Sequence, residues 1–444
     1  MAEPDRRSSP PRPFVDRLVV LDDDPTGAQT LSGIRVLLAW RHPDRIARAL
    51  AGRRSVHVVT NTRALPPEQA RATVAGAARA ALRGVAGARL LLRGDSTLRG
   101  HLLEEYLALC DATGRGRPPL LLVPALPSAG RVTRDGVHLI ERDGRAEPLH
   151  QTEYARDGVF AYSSARLLEW AEERSGGLFR AADGLELHLG ELRSRGAAAV
   201  EEALETLGHA GRPAVLAPDA ETDADLAAIA AGYAAALEQG WEAVVRCAPA
   251  FAGVVAGTTA PGLLAAPRAS GPLLVLCGSH VPTSTRQLAA LEAAYPGSLV
   301  EVDVGALAGE GSEAEEERAA RAASTRLAAH GLAIVATPRE RPEGTTELDA
   351  GRRIAEGLAR VAGRVEPAPA VVVAKGGITS AVALRVGFGA DEADVLGPVL
   401  PGVSLWRARA RNGALDYLVV PGNVGDDRLL ADLVERVLGV TGAC

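Results

Sequence analysis

The chain has 444 residues, a net charge of −6, 47% apolar and 23% charged residues. This is ordinary globular composition at a length that accommodates two or three domains. The acidic balance, the 15 scattered aromatics and the lack of any basic block argue against nucleic acid as a partner. No apolar stretch reaches about 18 residues, and the opening MAEPDRRSSPPRP has no apolar core, so no membrane partner is expected and the cytoplasm is the expected location. Cys110, Cys247, Cys277 and Cys444 form neither a C-x-x-C pair nor a zinc spacing, as expected of inert thiols in a reducing compartment.

In chain order, residues 1–13 read as a disordered tail. Short Val/Leu-rich runs then recur at 17–21, 55–60, 88–92, 120–125 and 213–218, and again at 272–277, 298–304, 331–337, 370–374 and 416–420. Runs this short and this continuously apolar suit strands buried on both faces of a parallel sheet. Helical Ala/Leu/Arg/Glu segments such as 66–84 and 317–331 lie between them. The alternation predicts an α/β fold of two domains, each with a largely parallel sheet flanked by helices. Residues 130–158 break the rhythm and read as a β-hairpin insertion. A nearly uncharged Gly/Pro/Ala-rich stretch marks a linker at 251–271, between domains at 14–250 and 272–444.

The polar residues gather just after strands. In the first half these loops are DDDPTGAQT (22–30), NTR (61–63) and RGDSTLRGH (93–101). In the second half they are GSHVPTSTRQ (278–287), KGGITS (375–380) and PGNVGDD (421–427). Open α/β sheets bind ligands at these carboxyl ends, so the expected site is the cleft between the domains. Asp22, Asp23 and Asp24 exceed what a helix cap needs and can serve as base, magnesium ligand or hydroxyl acceptor. Arg63, Arg93, Asp95, Ser96, Thr97 and Arg99 suit a small hydroxylated anion; the competing view is a surface ion-pair patch.

The three glycine-rich loops of the second half each run into a helix, with Thr283 or Ser284 and Thr379 or Ser380 as expected caps. Helix N-termini and bare glycine backbone favour phosphate. Neither a Walker-type G-x-x-x-x-G-K-[ST] nor a G-x-G-x-x-G fingerprint is present. Lys375 is the single lysine among 49 basic residues. A compact ammonium beside nucleotide phosphates is the functional reading, and a leftover solvated charge is the bland one.

These motifs, in this order, resemble the four-carbon acid sugar kinases, which act on threonate, erythronate and 3-oxo-tetronate. The resemblance spans nearly all of the chain after residue 14. It implies a substrate-binding first domain, a nucleotide-binding second domain, and ATP with Mg2+ phosphorylating the terminal hydroxyl of a four-carbon sugar acid. For such a reaction one of Asp23, Asp24 and Asp95 is expected as the catalytic base, Arg63 and Arg99 are expected to hold the substrate carboxylate, and Arg93, Ser96 and Thr97 to bind the rest of the acid. Domain closure brings the donor phosphate over the hydroxyl. The nucleotide contacts are Ser279, Lys375, Gly376, Gly377, Ile378, Thr379, Gly422, Asn423 and Gly425; no single residue is assigned to the metal. Asp22, Pro25 and His101 depart from many relatives. A homo-oligomer is compatible with the chain. Two other classes share these loops: a nicotinamide-dependent sugar-acid oxidoreductase, which the missing glycine fingerprint disfavours, and a non-catalytic sugar-acid sensor.

Overall fold

The computed structural model describes residues 14–142, 144–339 and 348–440; the tail expected at 1–13 and Cys444 lie outside the described residues. The first half contains β1 (Leu18–Asp22), β2 (Ile34–Leu37), β3 (Ser55–Val59), β4 (Arg89–Arg93) and β5 (Leu120–Val123). It continues with β6 (Arg131–Arg134), β7 (Val137–Arg142), β8 (Arg145–Pro148), β9 (Leu185–Leu187), β10 (Val215–Pro218) and β11 (Val244–Cys247). The second half contains β12 (Leu273–Cys277), β13 (Leu299–Glu301), β14 (Leu332–Ala336) and β15 (Val371–Lys375). It ends with β16 (Glu392–Leu400), β17 (Val403–Ala410) and β18 (Gly413–Val420).

Each of the ten apolar runs read from the sequence overlaps a strand. The central ones, such as β1 and β12, are buried on both faces because successive side chains point to opposite sides. In β1, Val19 and Leu21 enter one core while Leu18 and Val20 enter the core on the other face. In β12, Leu274 and Leu276 face one layer and Leu273, Val275 and Cys277 the other. The helical segments expected at 66–84 and 317–331 are helices Pro67–Gly84 and Ser312–His330.

The two sheets are not separate. They join edge to edge into one sheet of 15 strands, ordered β13-β14-β12-β15-β18-β17-β16-β2-β3-β1-β4-β11-β5-β10-β9. The joint is the antiparallel pair β2–β16, with Val36 opposite Ala393 and Arg35 opposite Asp394. Arg35 clamps the pair through Asp394 at 2.9 Å and Glu392 at 3.0 Å. Ala28, Leu31, Ile34 and Val36 of the first half pack in one core with Leu274, Val372 and Trp406 of the second. Residues 251–256 complete helix Pro249–Ala256, and the chain beyond is tied down by Ala260 N–H to Thr30 O and Leu264 N–H to Pro398 O.

The insertion at 130–158 carries one strand more than the expected hairpin. β6, β7 and β8 form a separate three-stranded antiparallel sheet, followed by two short 3-10 turns. Among the described residues no helix is long and apolar enough to cross a membrane.

A shared core predicts one cooperative unfolding transition by calorimetry. Val36→Asp places a charge in that core, at a cost of several kcal/mol. The expected thermogram of the variant shows two separated transitions at lower temperature; an unchanged one would disprove the coupling.

Candidate active site in the interdomain cleft

β1, β3 and β4 are neighbours, so their carboxyl ends bring the first three polar loops together. Asp22 is buried, accepts from Arg93 Nε at 2.7 Å and faces His57 Nδ1 at 2.8 Å. Burial pushes its pKa up, but Arg93 and His57 outweigh burial and hold it below the ordinary value. Arg93 also meets Asp23 at 3.2 Å and donates to the Asp24 carbonyl. A Cβ at Gly27 would collide with this guanidinium, so only glycine lets the loop fold over it.

Arg63 is the centre of the site. It follows Asn61, which is in the left-handed region at φ 54. Its guanidinium reaches Asp23 at 3.1 Å, Asp24 at 3.1 Å and Asp95 at 3.8 Å. Burial opposes its charge, yet these carboxylates raise its pKa. Asp23 is 1% exposed and neither of its oxygens has an aligned hydrogen bond. Burial therefore drives its pKa up to about 7, against the pull of Arg63 and Arg93.

Asp95 differs: it accepts from Arg99 Nε at 2.7 Å and from Thr97 Oγ1. Burial pushes it up, but Arg99 and Arg63 outweigh burial and hold it well below the usual carboxylate range. The loop bearing Asp95 is pinned from several sides. Gly94 N–H donates to Cys247 O at 2.9 Å, and Tyr162 OH to Thr97 O at 3.0 Å. Arg246, paired with Glu105, donates to Arg99 O at 3.3 Å. His138, from β7, meets Ser96 O at 2.9 Å; burial lowers its pKa to about 4, so it is neutral and donates that bond.

The other wall is built from the loops after β12, β15 and β18. Ser284 Oγ donates to Ser279 Oγ at 2.9 Å and lies 3.0 Å from Gly422 O; Gln287 Nε2 donates to Val424 O at 2.9 Å. A Cβ at Gly422 would sit 2.7 Å from Ser279 Oγ, and one at Gly376 3.2 Å from Ser279 Cβ. The expected hydroxyl caps are corrected here. Val281 and Gly376 cap these helices without side-chain bonds, because Pro282 and Gly377 start them. Ser284 instead ties two loops together, and Ser380 bonds Ala374 O and Gly376 O.

Lys375 is fully buried, and its ammonium donates to Pro421 O at 2.7 Å. Burial lowers its pKa to about 8. It points into the glycine loop after β18 from behind rather than into the cleft.

The two walls enclose a cleft of about 1680 Å³. Asp24, Arg63, Asp95 and Arg99 line one side; Ser279, Gly376, Gly377, Ile378, Thr379, Gly422, Asn423 and Gly425 line the other. The walls meet where the Asp24 carboxylate lies against Gly377, leaving no room for a Cβ. Five of the expected contact residues, Asp23, Arg93, Ser96, Thr97 and Lys375, do not line it. All five are buried behind the lining. Asp22 and His101 are buried too; His101 meets Leu65 O at 2.9 Å and the edge of Phe160. The sequence reading missed Arg131, Arg142, Tyr154 and Asp157, which the insertion and its following turns add to the lining. The sequence marked 130–158 as an insertion without singling out a side chain.

Fold and site define a two-domain α/β protein with a charged, hydroxyl-accepting wall facing a glycine-rich wall. A family model described as a sugar-binding N-terminal domain matches residues 18–255, and one described as a nucleotide-binding C-terminal domain matches residues 274–430. The chain belongs to the four-carbon acid sugar kinase family. It is 33% identical over 328 residues to a D-erythronate kinase of Heliobacterium modesticaldum, covering 70% of this chain and 69% of that protein. Two crystal structures share the fold. A Haemophilus influenzae protein has a TM-score of 0.61 at 17% identity, covering 95% of this chain and 99% of that one. A Salmonella typhimurium protein described as a tRNA synthase has a TM-score of 0.67 at 19% identity, covering 93% and 98%.

The raised Asp23 carries a stability prediction. Its folded pKa of about 7 lies above the ordinary 3.8, so the folded state holds a proton that the unfolded state releases. Its contribution is present at low pH and is lost as pH rises from about 4 through 7. Asp23→Asn keeps the neutral form throughout. The melting temperature of the variant relative to the parent is therefore expected to climb between pH 5 and 8; a constant difference would refute the raised pKa.

Proposed function

We propose that the protein transfers the terminal phosphoryl group of ATP to the terminal hydroxyl of a four-carbon sugar acid of the threonate or erythronate type. The observation that carries this reading is the contact of Asp24 with Gly377, which sets the acid-binding wall directly against the glycine wall. Phosphoryl transfer asks a protein mainly for alignment and charge stabilisation. The relative named a D-erythronate kinase supports the substrate class.

The glycine wall suits ATP because Gly376, Gly377 and Gly422 leave bare backbone where any side chain would collide with Ser279 or Asp24. Magnesium, when bound, would neutralise phosphate charge, and the cleft-lining Asp24 carboxylate is a fitting hard-oxygen ligand. Asp95 is held ionised by Arg99 and Arg63, so it accepts a hydrogen bond from the attacking hydroxyl and orients it. Its depressed pKa makes it a weak base, which suffices when little proton transfer precedes the loose transition state. Arg63 holds Asp24 and Asp95 in mutual register across the junction. Arg93 acts through Asp22 and Asp23, and Lys375 through the Pro421 carbonyl; both are positioning residues. Little closure is required at the floor of the cleft, where the walls already touch.

ADP release assayed against threonate, erythronate and their 3-oxo and 2-oxo forms tests the reading. Turnover of at least one acid is expected, and silence across the panel removes the substrate class. Asp95→Asn should lower kcat about 100-fold or more, roughly 2.7 kcal/mol of barrier. A loss below threefold would strip Asp95 of its role. Lys375→Met should raise the KM for ATP while leaving the KM for the acid nearly unchanged, because only the glycine loop loses its anchor.

A further inference from the structure

Four arginines from the first half line the cleft, and three have their charge met by the protein itself. Arg63 faces three carboxylates, at 3.1, 3.1 and 3.8 Å. Arg99 pairs with Asp95 at 2.7 Å and Asp157 at 3.5 Å. Arg142 reaches Glu153 at 3.6 Å and donates to Tyr154 OH at 2.9 Å. Arg131 is different. It is 5% exposed, and among the described residues no carboxylate lies within ion-pair distance of it. Its Nε is buried without a hydrogen-bond partner.

The fold places this cation in the acid-binding half of the cleft. Arg131 and Thr133 are two apart on β6 and so share one face of the small sheet. Thr133 sits opposite His138 and bonds its Nδ1 at 3.0 Å, while the other ring nitrogen donates to Ser96 O. The face bearing Arg131 is therefore the one turned toward the loop of Asp95. The neighbouring His138 is neutral and supplies no anion.

A largely buried charge without a counter-ion is costly, and an anion bound in the cleft that Arg131 lines would complete the pair. Resting on the sugar-acid kinase reading above, we propose that Arg131 receives the carboxylate of the substrate, making the cleft select a sugar acid over the neutral polyol of the same length. The carboxylate expected at Arg63 and Arg99 is thereby moved to the insertion. Those two arginines already carry matched charge and serve to position Asp24 and Asp95.

The test compares the parent, Arg131→Gln and Arg131→Lys by calorimetric titration with threonate, erythronate and the tetritols threitol and erythritol, with and without ADP. ADP release and melting temperature are followed in parallel. Arg131→Gln should weaken the acid that the parent binds about 100-fold and leave the tetritols unchanged, with Arg131→Lys in between. Free of ligand, Arg131→Gln should melt no lower than the parent, since an unpaired buried charge has been removed. Acid affinity within about threefold of the parent overturns the assignment. So does a parallel loss of acid and tetritol binding with a lowered melting temperature, and so does a parent that binds neither acid. If the parent binds the acid through Arg131 but releases no ADP, the kinase reading fails while the assignment stands.

Discussion

The antiparallel pairing of β2 with β16 determines where everything else lies. It is a short contact, four residues of β2 against four of β16, yet it fuses two largely parallel sheets into one. The loops after β1, β3 and β4 and those after β12, β15 and β18 line the same cleft on either side of this joint. Ile34 and Val36 share a core with the second half, so separating the halves would expose apolar surface as well as two strand edges. The cleft is thus a property of the whole sheet, and the Asp24–Gly377 contact is its floor.

Charge inside the site follows one rule: each buried carboxylate is tuned by which arginines it meets and how well they align. Asp22 has an aligned bond from Arg93 and stays ionised. Asp95 has an aligned bond from Arg99 and does likewise. Asp23 lies farther from its arginines, 3.1 Å from Arg63 and 3.2 Å from Arg93, without hydrogen-bond alignment, and burial prevails. Asp22 and Asp95 thereby stay ionised at neutral pH while Asp23 is partly protonated. That difference eases the repulsion between the adjacent Asp22 and Asp23. It also divides the labour, with Asp22 and Asp23 behind the lining and Asp24 and Asp95 in it.

The parallel strands were legible because burial on both faces writes a continuous apolar run, as in VVVA before Lys375. The strands that went unread carry a weaker signature. β2 is four residues long with Arg35 in its middle, and that arginine is explained only by Glu392 and Asp394, 357 and 359 positions away. β16 and β17 are long antiparallel strands with Gly397 and Pro398 at bulges, which break the alternation. The site divides in the same way. Motif order indicated the loops, and the glycines fell where a side chain would collide. Depth was invisible: Arg93 and Thr97 look as reactive on paper as Arg63 and Arg99, and only packing separates them. Arg131 was hidden for the opposite reason, since the significance of an arginine with no partner emerges only after every neighbour is in place.

Depth also changes what the single lysine means. Lys375 sits at 0% exposure with one good acceptor, the Pro421 carbonyl, and a second, Val424 O, at 3.5 Å. A guanidinium there would bring five donors in a rigid plane to a space offering two acceptors, leaving several buried N–H groups unsatisfied. An ammonium is a compact head on a flexible stem, and although burial pushes its pKa down to about 8, it remains mostly protonated at neutral pH. Arg63, Arg93 and Arg99 can be arginine because carboxylates or water satisfy the fork. At the end of β15 neither is present, and the geometry of two carbonyls behind the glycine wall selects lysine.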